Sequence, residues 1–365
     1  MEFLRECYPS LRQYYRFLAG EIGSSTTNRF RSGLLQTWDY FYNSGGWDDY
    51  PPQVAVHAQA LEDSVTPVIT TAQVIRIAKI LRHAARTLEL DADIAEYDAL
   101  IAASTDALQR HAWDEASGYF GYVQHDATGA PLGILRHESG ENFNRGFDGL
   151  YPLIAGICTP EQEERLLANL FDPARQWTPI GLTAVDQSAP YYRADGYWNG
   201  TVWMAHQWYF WRALLDLGRP ELARRIAMTA LDLWRVEVER IGRIFEHFIV
   251  ASGRGAGWHH FGGLSAPLLN WYAAYYRPGT LTVGFDTWLH ERSAAPDHTA
   301  LTATMAIDTA AYHRPALIAT LAPGPRYVVR WNDTPLDYDE PLPGVLEISL
   351  PAGTSAGRLA IDTEE

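Results

Sequence analysis

From the N-terminus to about residue 276, apolar positions recur at the spacing of helices packed in layers. The segment 66–88 opens on Thr66-Pro67, read as an N-cap followed by proline at the first helical position. Val74, Ile77, Ala78 and Leu81 then continue on one face. A second helix is expected from about Asp91 through Ile94, Tyr97, Ile101 and Leu108. The run Thr159-Pro160-Glu161-Gln162 is a capping-box signature, with Gln162 placed to reach back to the Thr159 backbone. Residues 202–217 are apolar on nearly every face, which predicts a helix packed on all sides. Gly218 ends it, and Pro220 begins an amphipathic partner through Ala223, Ala227, Ala230 and Trp234. An enclosed helix followed by an amphipathic one predicts two concentric layers.

Between these helices lie polar, glycine-rich and aromatic stretches at 24–56, 113–146, 172–198 and 242–262, read as long loops gathered at one end. After Pro278-Gly279 the period changes. TLTVGF, ALTATMAI, ALIATLA, RYVVRWN and VLEISLPAG are short β-rich runs broken by Gly, Pro, Asn and Asp, which predict a β-sandwich of about 85 residues. The division is therefore 1–278, helical, and 279–365, β-sandwich. No internal sequence repeat is visible.

Composition removes several function classes. A net charge of −15 over 365 residues opposes nucleic-acid binding, whose phosphates attract Lys and Arg. No apolar run approaches the ~18 residues of a membrane span. The start, MEFLRECYPSLRQYY, has no basic-then-apolar signal pattern, so a cytoplasmic location is expected. The two cysteines, Cys7 and Cys158, form neither a disulfide framework nor a thiolate metal site, and no metal or organic cofactor is expected. The 13 Trp and 20 Tyr exceed what packing asks of a core this size. They fit either an indole-rich core or the flat faces of sugar rings.

Three constellations could carry chemistry. In GGWDDYPP (45–52), glycines and prolines bracket two acids and two aromatics. A carboxyl shielded against an indole has its pKa raised and can act as an acid, although Asp48 or Asp49 reads equally well as a loop cap. In YWNGTVW (197–203), Trp198 and Trp203 could wall a sugar subsite with Asn199 on its hydroxyls, or Asn199 could simply cap the following helix. In FEHF (245–248), followed by Gly253, Gly255, Gly257 and WHHFG, Glu246 is a candidate general base among aromatics, or a surface acid on a short strand.

Taken in this order, the three segments resemble glycoside hydrolase family 63 and the trehalases of family 37. Those enzymes carry an SGWD-type segment, a YWRG-x-x-W segment and a Glu-aromatic segment leading to a glycine-rich loop. AWDEASGYFGY and GFDGLYPLIAGICTPEQEERLLANL are similar to their connecting text, so the resemblance runs over about residues 8–276. It implies a mainly α fold, an α/α toroid of six helical hairpins, here followed by the β-sandwich. It also implies an inverting glycosidase cleaving an α-linked disaccharide or short oligosaccharide. Asp48 takes the acid position, with Asp49 as runner-up, and Glu246 takes the base position. The inverting mechanism sets two such carboxyls ~6.5–9.5 Å apart. Trp38, Trp47, Asp49, Trp198, Asn199, Trp203, Phe245, His260 and Phe261 are the expected sugar contacts.

The chain departs from that pattern in three ways. Pro52 and Asn199 stand where relatives often carry arginine, leaving Arg145, Arg193 and Arg254 as candidate replacements. The β-domain follows the helices, whereas relatives usually carry extra β-structure before them. About eight or nine helices are legible against the family's twelve. The toroid is then incomplete, the chain being a truncated member, or it is completed by self-association or a partner chain. The competing functions are a catalytically silent carbohydrate-binding protein, a lyase or phosphorylase on a related toroid, and a helical scaffold without activity.

Overall fold

A computed structural model describes residues 2–23, 26–27, 30–37 and 46–364. The chain divides into two compact units, 1–177 with 183–201, and 178–182 with 202–365. No helix among the described residues is long and apolar enough to cross a membrane.

Unit 1 contains α1 (Glu2–Leu18), α2 (Pro51–Ala58), α3 (Val68–Leu88), α4 (Asp91–His111), α5 (Phe147–Ala155) and α6 (Pro160–Phe171). Helices α3 and α5 pack together, with α4 and α1 also against α3. Every residue of α5 is buried, as are twelve in α3, whereas α4 and α6 bury one stripe each. One core joins Tyr8 and Tyr15 of α1, Val74, Ala78 and Leu81 of α3, and Tyr97 of α4. The capping box at Thr159 and Gln162 forms in both directions.

Thr66 does not cap α3. It lies in a two-residue strand paired with Val123, and the helix begins after Pro67 without a side-chain cap of its own. Asp148 in α5 substitutes: its Oδ1 accepts the Ile69 N–H at 2.8 Å. A partner 79 positions away is brought here only by packing, so no local pattern announces it. The carboxyl is fully buried, and loss of hydration pushes its pKa up to about 7. A raised folded-state pKa favours the native state below the ordinary carboxyl range, and that advantage is lost as pH rises toward 7. The thermal midpoint should therefore fall between about pH 5 and about pH 8. Asp148→Asn keeps an Oδ1 acceptor and cannot ionise, so its midpoint should be flatter across that interval. Parallel pH profiles for parent and variant would refute this.

Two further expectations change. Residues 51–56, read as part of a loop, lie in α2, with Pro51 and Pro52 at its first positions. The stretch 113–146 holds short strands: Trp113–Asp114 pairs with Tyr119–Phe120, and Val123–His125 with Pro131–Ile134.

Unit 2 contains α7 (Met204–Asp216), α8 (Pro220–Ile241), the one-turn α9 (Gly262–Ser265) and α10 (Pro267–Tyr276). α7 is not packed on all sides as expected: Ala205, Trp208, Tyr209 and Arg212 form a half-buried to exposed face, while α8 packs on the helix through a stripe including Ala223, Ala227 and Ala230. Gly218 between them has φ +70°, as a helix-ending glycine should. The strands from Thr280 onward form two antiparallel sheets. One is ordered 280–282, 316–320, 345–349, 338–342, and the other 287–294, 301–307, 356–363, 327–331, 334–336. Leu301, Ala303, Met305 and Ile307 alternate inward and share a core with Leu317, Ala319, Leu346 and Ile348 of the facing sheet. All five expected β-runs contain strands. The strands not foreseen, such as Thr287–Ala294, are mostly exposed and lack the alternation.

Candidate functional site

In unit 1 the acidic pair stands on a tight turn. The Tyr50 N–H donates to the Trp47 carbonyl at 3.1 Å, leaving Asp48 and Asp49 between them, just before α2. Both flanking aromatics are buried, and their rings meet edge-on at 5.0 Å. Trp47 also lies 5.7 Å from the Tyr151 ring and stacks on Trp198 at 6.1 Å. The Tyr50 hydroxyl donates to Asn144 Oδ1 at 2.9 Å. The sequence pattern aromatic–Asp–Asp–aromatic–Pro–Pro thus becomes two anchors, a helix start and an acidic tip.

The two acids differ. Asp48 is exposed, whereas Asp49 is partly buried and accepts the Trp198 backbone N–H at 2.6 Å through Oδ1. Burial pushes the Asp49 pKa up and the neighbouring Asp48 charge adds to it, while the Trp198 N–H works the other way. Asp49 therefore joins the turn to the 197–201 segment. Asn199 is not a helix cap: its Oδ1 accepts the Tyr197 N–H at 3.0 Å, and the residue preceding α7 is Trp203. Trp38 lies outside the described residues.

In unit 2, Phe245–Ile249 and Arg254–His259 form an antiparallel hairpin. Its register shifts so that Gly257 and Trp258 together face Glu246, a bulge with Gly257 at φ +74°. Glu246 is largely buried, and its Oε2 accepts the Trp258 N–H at 3.1 Å. A Cβ on residue 257 would fall 2.3 Å from that same oxygen, so a side chain there would push the carboxylate from its place, and the positive φ independently favours glycine. Of the glycines noted in the sequence, Gly257 is the one that touches the acid. Trp203 is fully buried and stacks on His247 at 5.0 Å, so its indole is packed in the interior. Burial lowers the His247 pKa, with Glu246 opposing. Phe245 is half-buried, and Trp258, His260 and Phe261 are exposed along the hairpin's end.

Two of the candidate arginines pair with nearby acids. Arg145 is buried against Asp186 and Glu141, and Arg254 pairs with Glu237 at 2.9 Å. The Arg193 backbone N–H donates to the Asn199 carbonyl at 3.1 Å. Among the described residues no group of His, Cys, Asp or Glu is arranged to hold a metal ion.

The family model for the mannosylglycerate hydrolase MGH1-like glycoside hydrolase domain matches residues 1–262. Mannosylglycerate hydrolase MGH2 of Selaginella moellendorffii is 29% identical over 126 residues, covering 34% of this chain and 24% of that protein. The mannosylglycerate hydrolase of Thermus thermophilus is 29% identical over 163 residues, covering 44% of this chain and 34% of its own length. These matches span about a quarter to a third of the curated relatives. Among solved structures, a GH63 mannosylglycerate hydrolase from Thermus thermophilus in complex with glucose is 21% identical. It superposes with a TM-score of 0.55 over 74% of this chain and 69% of that one, a likeness of fold. The ordered motifs and the family match agree: this chain belongs to the mannosylglycerate hydrolase MGH1-like glycoside hydrolase domain family.

Proposed function

We propose that the chain is the catalytic part of an inverting glycosidase, with Asp48 as general acid and Glu246 as general base. The acid protonates the glycosidic oxygen as the bond from the anomeric carbon breaks. The base takes a proton from a water whose oxygen bonds that carbon from the opposite face. The product is a hemiacetal of inverted configuration. No metal or organic cofactor enters the scheme.

The observation that carries this reading is how each carboxyl is held. Asp48 projects from a turn clamped by two buried aromatics, and Glu246 is oriented by the Trp258 N–H at a bulge whose positive φ favours glycine. Acid–base chemistry needs such positioning; at Asp48 it is the backbone of the turn that is fixed, the side chain being exposed and not shielded against the indole as the sequence suggests. Trp258 and Phe261 lie exposed beyond the base and offer aromatic surface for a sugar ring, whereas Trp47 and Trp198, expected from the sequence as sugar contacts, are buried and anchor the acidic turn.

The first substrates to examine are α-linked mannosylglycerate and trehalose, because relatives are named mannosylglycerate hydrolase and trehalase. The test is a panel of α-linked disaccharides and mannosylglycerate, with the first-formed product anomer followed by proton NMR. The reading expects a hydrolysis product of inverted anomeric configuration. Binding without product would establish the silent carbohydrate-binding alternative. An unsaturated product would identify a lyase, and a sugar phosphate a phosphorylase.

One observation favours a second assignment of the acid. Asp49 is partly buried and burial drives its carboxyl toward the protonated form, whereas Asp48 is exposed. Against it, the Asp49 carboxylate already accepts the Trp198 N–H, a bond that stabilises the ionised state.

A further inference from the structure

Unit 1 holds a cavity of about 430 Å³ whose lining includes Arg136, Arg145, Arg175, Glu141, Asn142 and Ser188. Neither Asp48 nor Asp49 lines it, and neither does Trp47 or Trp198. The three arginines come from separate segments: the hairpin end after Ile134, the residues before α5, and the turn after α6. In a chain of net charge −15, three arginines meet here against four carboxylates, of which only Asp114 and Asp186 are buried.

Two buried carboxylates hold the guanidiniums in place. Asp114 accepts two bonds from Arg136, at 2.8 and 3.2 Å. The fully buried Asp186 lies 3.3 Å from Arg145 and 3.4 Å from Arg175, and it also accepts from the Tyr119 hydroxyl at 3.0 Å and from Ser188. Two buried negative charges against three positive ones leave a surplus of one. The remaining carboxylates both reach solvent. Glu141 pairs with Arg145 at 3.0 Å, and Asp172 approaches Arg175 at 3.9 Å. Pairs open to solvent are screened by it and contribute little, so an incoming anion can displace them.

The donors are also in excess. Each guanidinium has five N–H groups in a planar fork. Arg136 uses two on Asp114, and Arg145 reaches Glu141, Ser188 and Asp186. Arg145 is only 7% exposed, and its Nε has no hydrogen-bond partner. Planar forks held by buried carboxylates, with spare donors around a cavity, match the geometry of a carboxylate or phosphate group.

We propose that this cavity binds the carboxylate or phosphate of an acidic ligand, with Glu141 as the displaceable group at its rim. The inference rests on the cavity alone and stands apart from the assignment of Asp48 and Glu246. The test is calorimetric titration of the intact chain with inorganic phosphate and, separately, with D-glycerate, at low ionic strength. Saturable binding of at least one is expected. Arg175→Gln should weaken it about tenfold, the scale of one charge-assisted contact, while Asp186 keeps Arg145. Glu141→Gln should tighten it several-fold, a gain that a folding defect cannot mimic. Binding of phosphate alone points to a phosphate ester as ligand, and binding of glycerate alone points to a carboxylate. Absence of saturable heat with both anions overturns the proposal, as does an affinity that neither substitution changes. A chain that binds an anion here yet cleaves no glycoside would refute the catalytic reading and leave this one intact.

Discussion

Glu246→Gln is expected to lower kcat on any glycoside the parent cleaves by about 10²–10⁴-fold, the usual contribution of a positioned proton acceptor. The amide has the shape of the carboxylate and retains an oxygen to accept the Trp258 N–H, so the hairpin should keep its register. The loss then reads on chemistry, with KM little changed. Asp48→Asn should lose activity on the same scale, but with a different signature. A substrate whose leaving group needs no protonation, such as a glycosyl fluoride, should recover much of the Asp48→Asn loss and little of the Glu246→Gln loss. The combined loss in the double variant should be far less than the product of the two, because both groups serve one transition state. Asp49→Asn is the companion experiment. Its amide oxygen can still accept the Trp198 N–H, so activity should fall only modestly if Asp48 is the acid. If Asp49→Asn shows the fluoride rescue and Asp48→Asn keeps near-parental activity, the acid assignment moves one residue. Retention of activity by Glu246→Gln would remove the base assignment altogether.

Trp47→Ala should have the largest effect on stability. The indole is 1% exposed and touches Tyr50, Tyr151 and Trp198, so truncation empties a cavity at the point where the acidic turn meets the interior. Deleting a buried aromatic of this size costs about 3–5 kcal/mol. At roughly 2–4 °C per kcal/mol for a unit of this length, the midpoint should drop by about 10 °C. Trp47→Phe fills part of the space and should lose less than half as much. Activity should fall with Trp47→Ala even at temperatures where the variant is folded, because the turn loses one of its two anchors. A variant that melts within about 2 °C of the parent would mean that the turn is held by Tyr50 and Asp49 instead.

The parts of this molecule that were legible from sequence are those governed by near neighbours. The Thr159 capping box, the Gly218-Pro220 junction and the alternating strand Leu301–Ile307 each depend on residues a few positions apart. The acidic turn was legible as a bracketed motif, although Pro51 and Pro52 begin a helix rather than close a loop. What escaped depends on distant partners. Thr66 has the right identity to cap α3, yet Asp148 from α5 meets that helix end. Asn199 has the identity of a helix cap and instead bonds within its own turn. The Glu246 segment read as weak because the glycine that matters lies across a hairpin, and spacing alone does not reveal a register shift. The arginine cavity was invisible for the same reason: residues 136, 145, 175 and 188 converge only after α5 and α6 are packed.

The Glu246 hairpin ties two positions into a single heritable unit. A Cβ at residue 257 is aimed at the carboxylate oxygen, so any other amino acid there would displace that oxygen from the Trp258 N–H, besides adopting a strained positive φ. A chain in which Glu246 is shortened loses that conflict and keeps only the cost of the positive φ, so residue 257 should tolerate a side chain best where the carboxylate is gone.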